Sequence, residues 1–87
     1  MASKKNPTAE KADPSKPAQF TIGQFGGVSK FSQLTAIPIS TCYDWWSAGL
    51  FPSKYKGKPL QATIMPIAFA EGIDITPTDL FVAREDQ

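Results

Sequence analysis

Eight prolines and six glycines are spread through 87 residues, and they limit this chain more than any other feature. Each proline removes a backbone donor and fixes φ, and each glycine favours a turn or a helix end. Long helices and broad sheets are therefore excluded, and with them a deep enzyme cleft. What remains is a set of short elements in a single domain. A core of that size leaves only a small surplus of stability.

The net charge of +1 says little, but its distribution says more. Lys4, Lys5, Lys11 and Lys16 lie in the first sixteen residues, and Lys54, Lys56 and Lys58 form a second group. The segment from Glu71 onward is acidic, with Asp74, Asp79, Glu85 and Asp86 against Arg84. A basic arm and a basic loop beside an acidic tail predict a polarised surface. Cys42 is the single cysteine and histidine is absent, so neither an intramolecular disulfide nor zinc-finger spacing is available. A lone thiol without a basic neighbour reads as an inert core residue rather than a nucleophile. Gly26-Gly27 is too short for a phosphate loop and reads as a helix boundary. The sequence offers no acid/base pair, cofactor motif or metal set, and no small-molecule substrate is expected. No apolar run approaches the ~20 residues of a membrane span, and no apolar segment follows the first lysines as in a secretory signal. The expected location is cytoplasmic, at the nucleoid or in an infected host cell.

Residues 1–18 combine Pro7, Pro14 and Pro17 with lysines and small residues, and composition predicts a disordered basic arm. Order is expected from about Phe20, with the domain covering residues 19–87. Thr21 is placed as the cap of a brief first helix carrying Ile22 and Phe25, stopped by Gly26-Gly27. Val28, Phe31 and Leu34 recur at spacing three and predict a second helix over Val28–Thr35, with small Ser32 on the packed face. Ala36-Ile37-Pro38 breaks that pattern, and Pro38 starts a third helix over residues 38–48. Cys42, Trp45 and Trp46 form its inner stripe, so the tryptophans are read as core rather than as stacking platforms for single-stranded bases. Gly49 ends it, and Leu50-Phe51-Pro52 closes over the core. Leu60, Ile64, Ile67 and Ala68 have helical spacing up to Gly72, but Pro66 must kink or divide this stretch; an extended 60–64 followed by a helix from Pro66 is the alternative. Thr76-Pro77-Thr78-Asp79 resembles a helix start that leads Leu80, Phe81 and Val82 back to the core.

Two short helices, a tight three-residue joint and a tryptophan late in the second helix make up a helix-turn-helix pattern. In that unit the second helix presents its early residues to the major groove. Ile39, Ser40, Thr41, Tyr43, Asp44 and Ser47 point away from the inner stripe and are the candidate base-reading residues. Hydroxyls reach phosphates or bases, Ile39 suits a thymine methyl, and Asp44 can accept from cytosine. Lys30, Gln33, Lys54, Lys56 and Lys58 are the candidates for the DNA backbone.

Phe25-Gly26-Gly27-Val28, the run from Ala36 to Trp45, Gly49-Leu50-Phe51-Pro52 and Gly72-Ile73-Asp74-Ile75-Thr76-Pro77 together resemble the small Cro/YdaS-like phage and prophage regulators, in particular the carph-isopro subgroup. The resemblance implies a lambda-repressor-like helical domain and sequence-specific DNA binding, often as a homodimer. Those regulators usually carry glycine in the turn where Ala36 stands here; a left-handed backbone at alanine costs roughly 1–2 kcal/mol. The expectation is thus an all-α domain of about four to five short helices. It would act as a non-enzymatic transcription regulator, such as a repressor, on double-stranded DNA. The alternative is a protein-interaction module on the same scaffold, antitoxin-like or binding a host factor, with Phe51 or Phe81 exposed.

Overall fold

The computed structural model describes residues 12–13 and 15–82. Four helices make up most of it: α1 (Pro17–Gln24), α2 (Val28–Thr35), α3 (Ile39–Ala48) and α4 (Leu60–Glu71). A two-stranded hairpin, β1 (Lys54–Tyr55) and β2 (Lys58–Pro59), separates α3 from α4, and a 3-10 turn at Pro77–Leu80 closes the fold. The domain is therefore mostly helical rather than all-α. The hairpin stands where composition suggested only a basic loop.

Order begins earlier than the proline-rich composition predicts. Residues 1–11, which hold most of the expected arm, lie outside the described residues, but Ala12 already packs against the core. Asp13 starts a turn, its carboxylate accepting from the Ser15 N–H (2.9 Å) and hydroxyl (2.7 Å). These bonds hold the Asp13 carboxyl below its ordinary pKa. Pro17 then opens α1, where its fixed φ suits a helix start and its missing N–H costs nothing. Gln19 ties this beginning to α3. Its amide accepts from the Asp13 N–H (3.1 Å) and donates to the Trp46 carbonyl (3.0 Å). Thr21, expected as a cap, is instead a buried residue inside α1, its hydroxyl donating to the Asp79 carbonyl at 3.3 Å.

The observed α2 has the expected bounds, and α3 begins one residue later than expected, with Pro38 flanking it. Gly49 ends α3 in the left-handed conformation (φ 79°), its N–H donating to the Trp45 carbonyl at 2.8 Å. α4 runs unbroken through Pro66, which removes the extended alternative for 60–64. Pro66 lies on the exposed side of the helix, so its ring does not intrude on the core. Leu60, Ile64 and Ala68 form the buried stripe of α4.

Ile22, Val28, Phe31, Cys42, Leu60, Ile64 and Leu80 are fully enclosed at the centre. Beside them runs a chain of aromatic contacts. Phe25 meets Phe31 edge-on (4.9 Å between centroids), Phe31 stacks on Phe51 (6.1 Å), Phe51 meets Trp45 (5.5 Å), and Trp45 meets Tyr55 (5.5 Å). Phe51, expected on the surface in the alternative reading, is buried at the middle of this chain, while Leu50 beside it faces solvent. Of the C-terminal trio only Leu80 returns to the core; Phe81 and Val82 are exposed. Thr76 and Asp79 form the expected helix start. The Asp79 carboxylate accepts from the Thr76 N–H (2.8 Å), and the Thr76 hydroxyl accepts from the Asp79 N–H (3.4 Å).

Candidate functional site

The joint between α2 and α3 is three residues long and has a defined geometry. Ala36 adopts the left-handed conformation (φ 63°, ψ 19°), and its N–H closes α2 on the Ser32 carbonyl at 2.9 Å. Ile37 then turns inward and is 3 % exposed. Both backbone polar groups of Ile37 are satisfied by hydroxyls from α2. Ser32 donates to its carbonyl at 2.6 Å, and Thr35 accepts from its N–H at 3.3 Å while donating to the Phe31 carbonyl at 2.7 Å. The Cys42 thiol makes a weak further contact with the Ile37 carbonyl (3.8 Å). This clasp fixes how α3 leaves α2. Sequence reasoning valued Ser32 only for its size and gave Thr35 no role. The available signal was a pair of hydroxyls at spacing three just ahead of the break.

With α3 held in this way, Cys42, Trp45 and Trp46 face the core. Burial pushes the Cys42 thiol up to about 11. The candidate base-reading residues do not share one environment. Ser40, Asp44 and Ser47 are exposed and lie centrally on the outward face. Thr41 and Tyr43 flank it half-buried, and Tyr43 packs partly against the core. Ile39 stands at the start of the helix, 44 % exposed.

The basic candidates are dispersed. Lys30 and Gln33 are exposed on α2, and the aliphatic stem of Lys30 lies back over Gly26, toward the α1–α2 junction. In the hairpin, Lys54 pairs with Pro59 and Tyr55 with Lys58. Adjacent strand residues face opposite sides, so Lys54 and Lys58 project from opposite faces instead of forming one patch. Lys56 and Gly57 form the two-residue turn, both with positive φ (54° and 79°), as such a tight hairpin requires. The Lys56 ammonium lies 5.6 Å from the centre of the Tyr55 ring. Tyr55 rests edge-on against Trp45 of α3, while both strands pack against α4. Tyr55 is thus a positioning residue that sequence reasoning missed; Gly57, one residue after a lysine and between two strand-compatible pairs, was the sign of the turn.

Among the described residues, no group of three or more His, Cys, Asp or Glu is placed to hold a metal ion. No described helix is long and apolar enough to cross a membrane. No protein-family profile, curated protein or solved structure matches this chain.

Proposed function

We propose that this protein is a sequence-specific, double-stranded-DNA-binding regulator of the helix-turn-helix kind, of bacterial or phage origin, acting in the cytoplasm without enzymatic activity. One observation carries the reading. A short helix, a three-residue turn clasped by Ser32 and Thr35, and a second helix leave Ser40, Asp44 and Ser47 facing outward. A recognition helix needs a braced base and a free outward face whose early part, here Ser40 and Asp44, meets the groove. Ser40, Asp44 and Ser47 are the central base contacts in this reading, with Ile39, Thr41 and Tyr43 at the margins. Lys56, with whichever of the oppositely facing Lys54 and Lys58 is turned to the duplex, supplies backbone attraction from a hairpin that touches the same helix through Tyr55.

The test is selection from a random duplex library, followed by gel shifts of the enriched and a scrambled duplex across a salt series. The expected result is a preference of about 10³-fold or more for the enriched site, with affinity falling steeply as salt rises. Equal binding to both duplexes, or none, overturns the reading. The second reading, a protein-interaction module, is favoured by the chemistry of the outward face. It carries no Arg, Lys, Asn or Gln, and Asp44 repels phosphate. Loss of both DNA activities would put that module first, with the same face of α3 as its contact.

A further inference from the structure

We infer that Asp44 makes α3 a reader of cytosine, so that one base pair of the preferred duplex is set by this single carboxylate; the inference rests on the DNA-binding reading of α3. Ser40, Asp44 and Ser47 follow one another at spacings of four and three, which places them in one row along the outer side of the helix. All three are exposed. None of these side chains has a hydrogen-bond or ion-pair partner among the described residues. Two other aspartates differ in this respect. The Asp13 carboxylate accepts from Ser15, and the Asp79 carboxylate accepts from the Thr76 N–H. Asp44 has no such task in the fold. It is the sixth of the ten residues of α3, beyond the first turn where the helix N-terminus would favour a negative charge.

The chemistry of the row decides what it can read. A carboxylate accepts hydrogen bonds and donates none. In the major groove the base donors are the N4 amino group of cytosine and the N6 amino group of adenine; guanine presents two acceptors, and thymine an acceptor and a methyl group. Asp44 therefore attracts cytosine, tolerates adenine, whose N7 acceptor lies beside its donor, and disfavours guanine and thymine. The hydroxyls of Ser40 and Ser47 both donate and accept, so within the row only Asp44 has a fixed polarity. Arginine, the usual partner of guanine, is absent from the face. Repulsion between Asp44 and the phosphates weakens binding to every sequence alike and leaves the ranking of bases unchanged. From Ser40 to Ser47 the helix rises ~10 Å, or about three base-pair steps, so a single pair lies opposite Asp44 and the hydroxyls meet its neighbours.

The test is selection from a random duplex library with the parent, Asp44→Asn and Asp74→Asn, after circular dichroism verifies the fold of each variant. Asp74 is exposed and lies outside α3, so Asp74→Asn makes the same change of net charge away from the row. The parent's enriched motif should contain one pair at which cytosine exceeds guanine by roughly tenfold or more. Asparagine bonds to the N6 and N7 of adenine, so Asp44→Asn should move that one pair from cytosine to adenine and leave the rest of the motif as it was. Asp74→Asn should return the parent's motif. An Asp44→Asn motif identical to the parent's, or altered at every position, overturns the assignment of Asp44 and leaves the DNA-binding reading standing. So does an Asp74→Asn that makes the same shift. A parent that enriches no motif overturns the DNA-binding reading and this inference together.

Discussion

Ile37 is a single apolar residue whose placement is decided by two hydroxyls that it does not itself carry. Removing the Thr35 hydroxyl leaves the Ile37 N–H without its partner, and removing that of Ser32 leaves the carbonyl only its weak contact with Cys42, each at a cost of about 1–3 kcal/mol. Thr35→Val, nearly unchanged in shape, should therefore lower stability by roughly that amount in urea unfolding, and Ser32→Ala similarly. A midpoint unchanged in both would mean that water replaces the hydroxyls. Ala36 should respond in the opposite direction. Its left-handed backbone costs alanine roughly 1–2 kcal/mol, and glycine gives back about half of that through the freedom of the unfolded chain. Ala36→Gly should thus raise stability by about 0.5–1 kcal/mol, and a loss of stability would contradict the observed φ. Cys42 supplies a pH test. Its thiol titrates near 9 when exposed and is raised to about 11 in the folded protein. Its neutral form is thus favoured by folding, and stability should be level below pH 9 and decline as pH rises from 9 toward 11. Thiol reagents at pH 8 should react only on unfolding; rapid labelling of the native protein would contradict the burial. At this scale the sequence revealed which residues are small or apolar. It did not reveal hydrogen-bond direction, because Ser32 reads the same whether it fills space or donates to Ile37.

Among the elements, α2 and α3 were legible because period and punctuation agree: Val28 and Phe31 recur at helical spacing, Ala36-Ile37-Pro38 interrupts, and Gly49 stops. The hairpin was not legible, since strands of two residues carry too little alternation to reveal a period. Nor was the continuity of α4, because Pro66 is tolerated only where its ring faces outward, a fact of tertiary placement. Trp45 connects two of these elements, packing on Phe51 and Tyr55. Trp45→Ala should cost roughly 3–5 kcal/mol, whereas Tyr55→Ala should cost less and mainly release the hairpin, visible as faster amide exchange at Lys58. If the proposed function holds, replacing Lys54, Lys56 and Lys58 by alanine should weaken specific and random duplex alike. It should also flatten the log–log salt slope by about 0.9 for each phosphate that is no longer neutralised. Because Lys54 and Lys58 face opposite ways, a flattening of less than about two units is expected here. An unchanged slope would remove the hairpin from the interface.

For the molecule as a whole, closure depends on residues far apart in sequence. Thr21 in α1 bonds to Asp79, Gln24 donates to the Asp74 carbonyl at 3.2 Å, and Leu80 is fully buried. Leu80→Ala should cost roughly 2–5 kcal/mol and lower the thermal midpoint as much as a change near the centre of the chain; a midpoint near the parent's would show that the closing turn is dispensable. The composition of the first eighteen residues concealed how early order begins, because the local Asp13–Ser15 turn is joined by a long-range bridge from Gln19 to Trp46 that composition does not reveal. The bond from Thr21 to Asp79 spans 58 positions. During synthesis at ~5–20 residues per second, the ribosome adds that second partner about 3 to 12 s after the first. For those seconds the nascent α1 is without part of its lasting cover, and holding Ile22 in the meantime falls to α2, α3 or a chaperone.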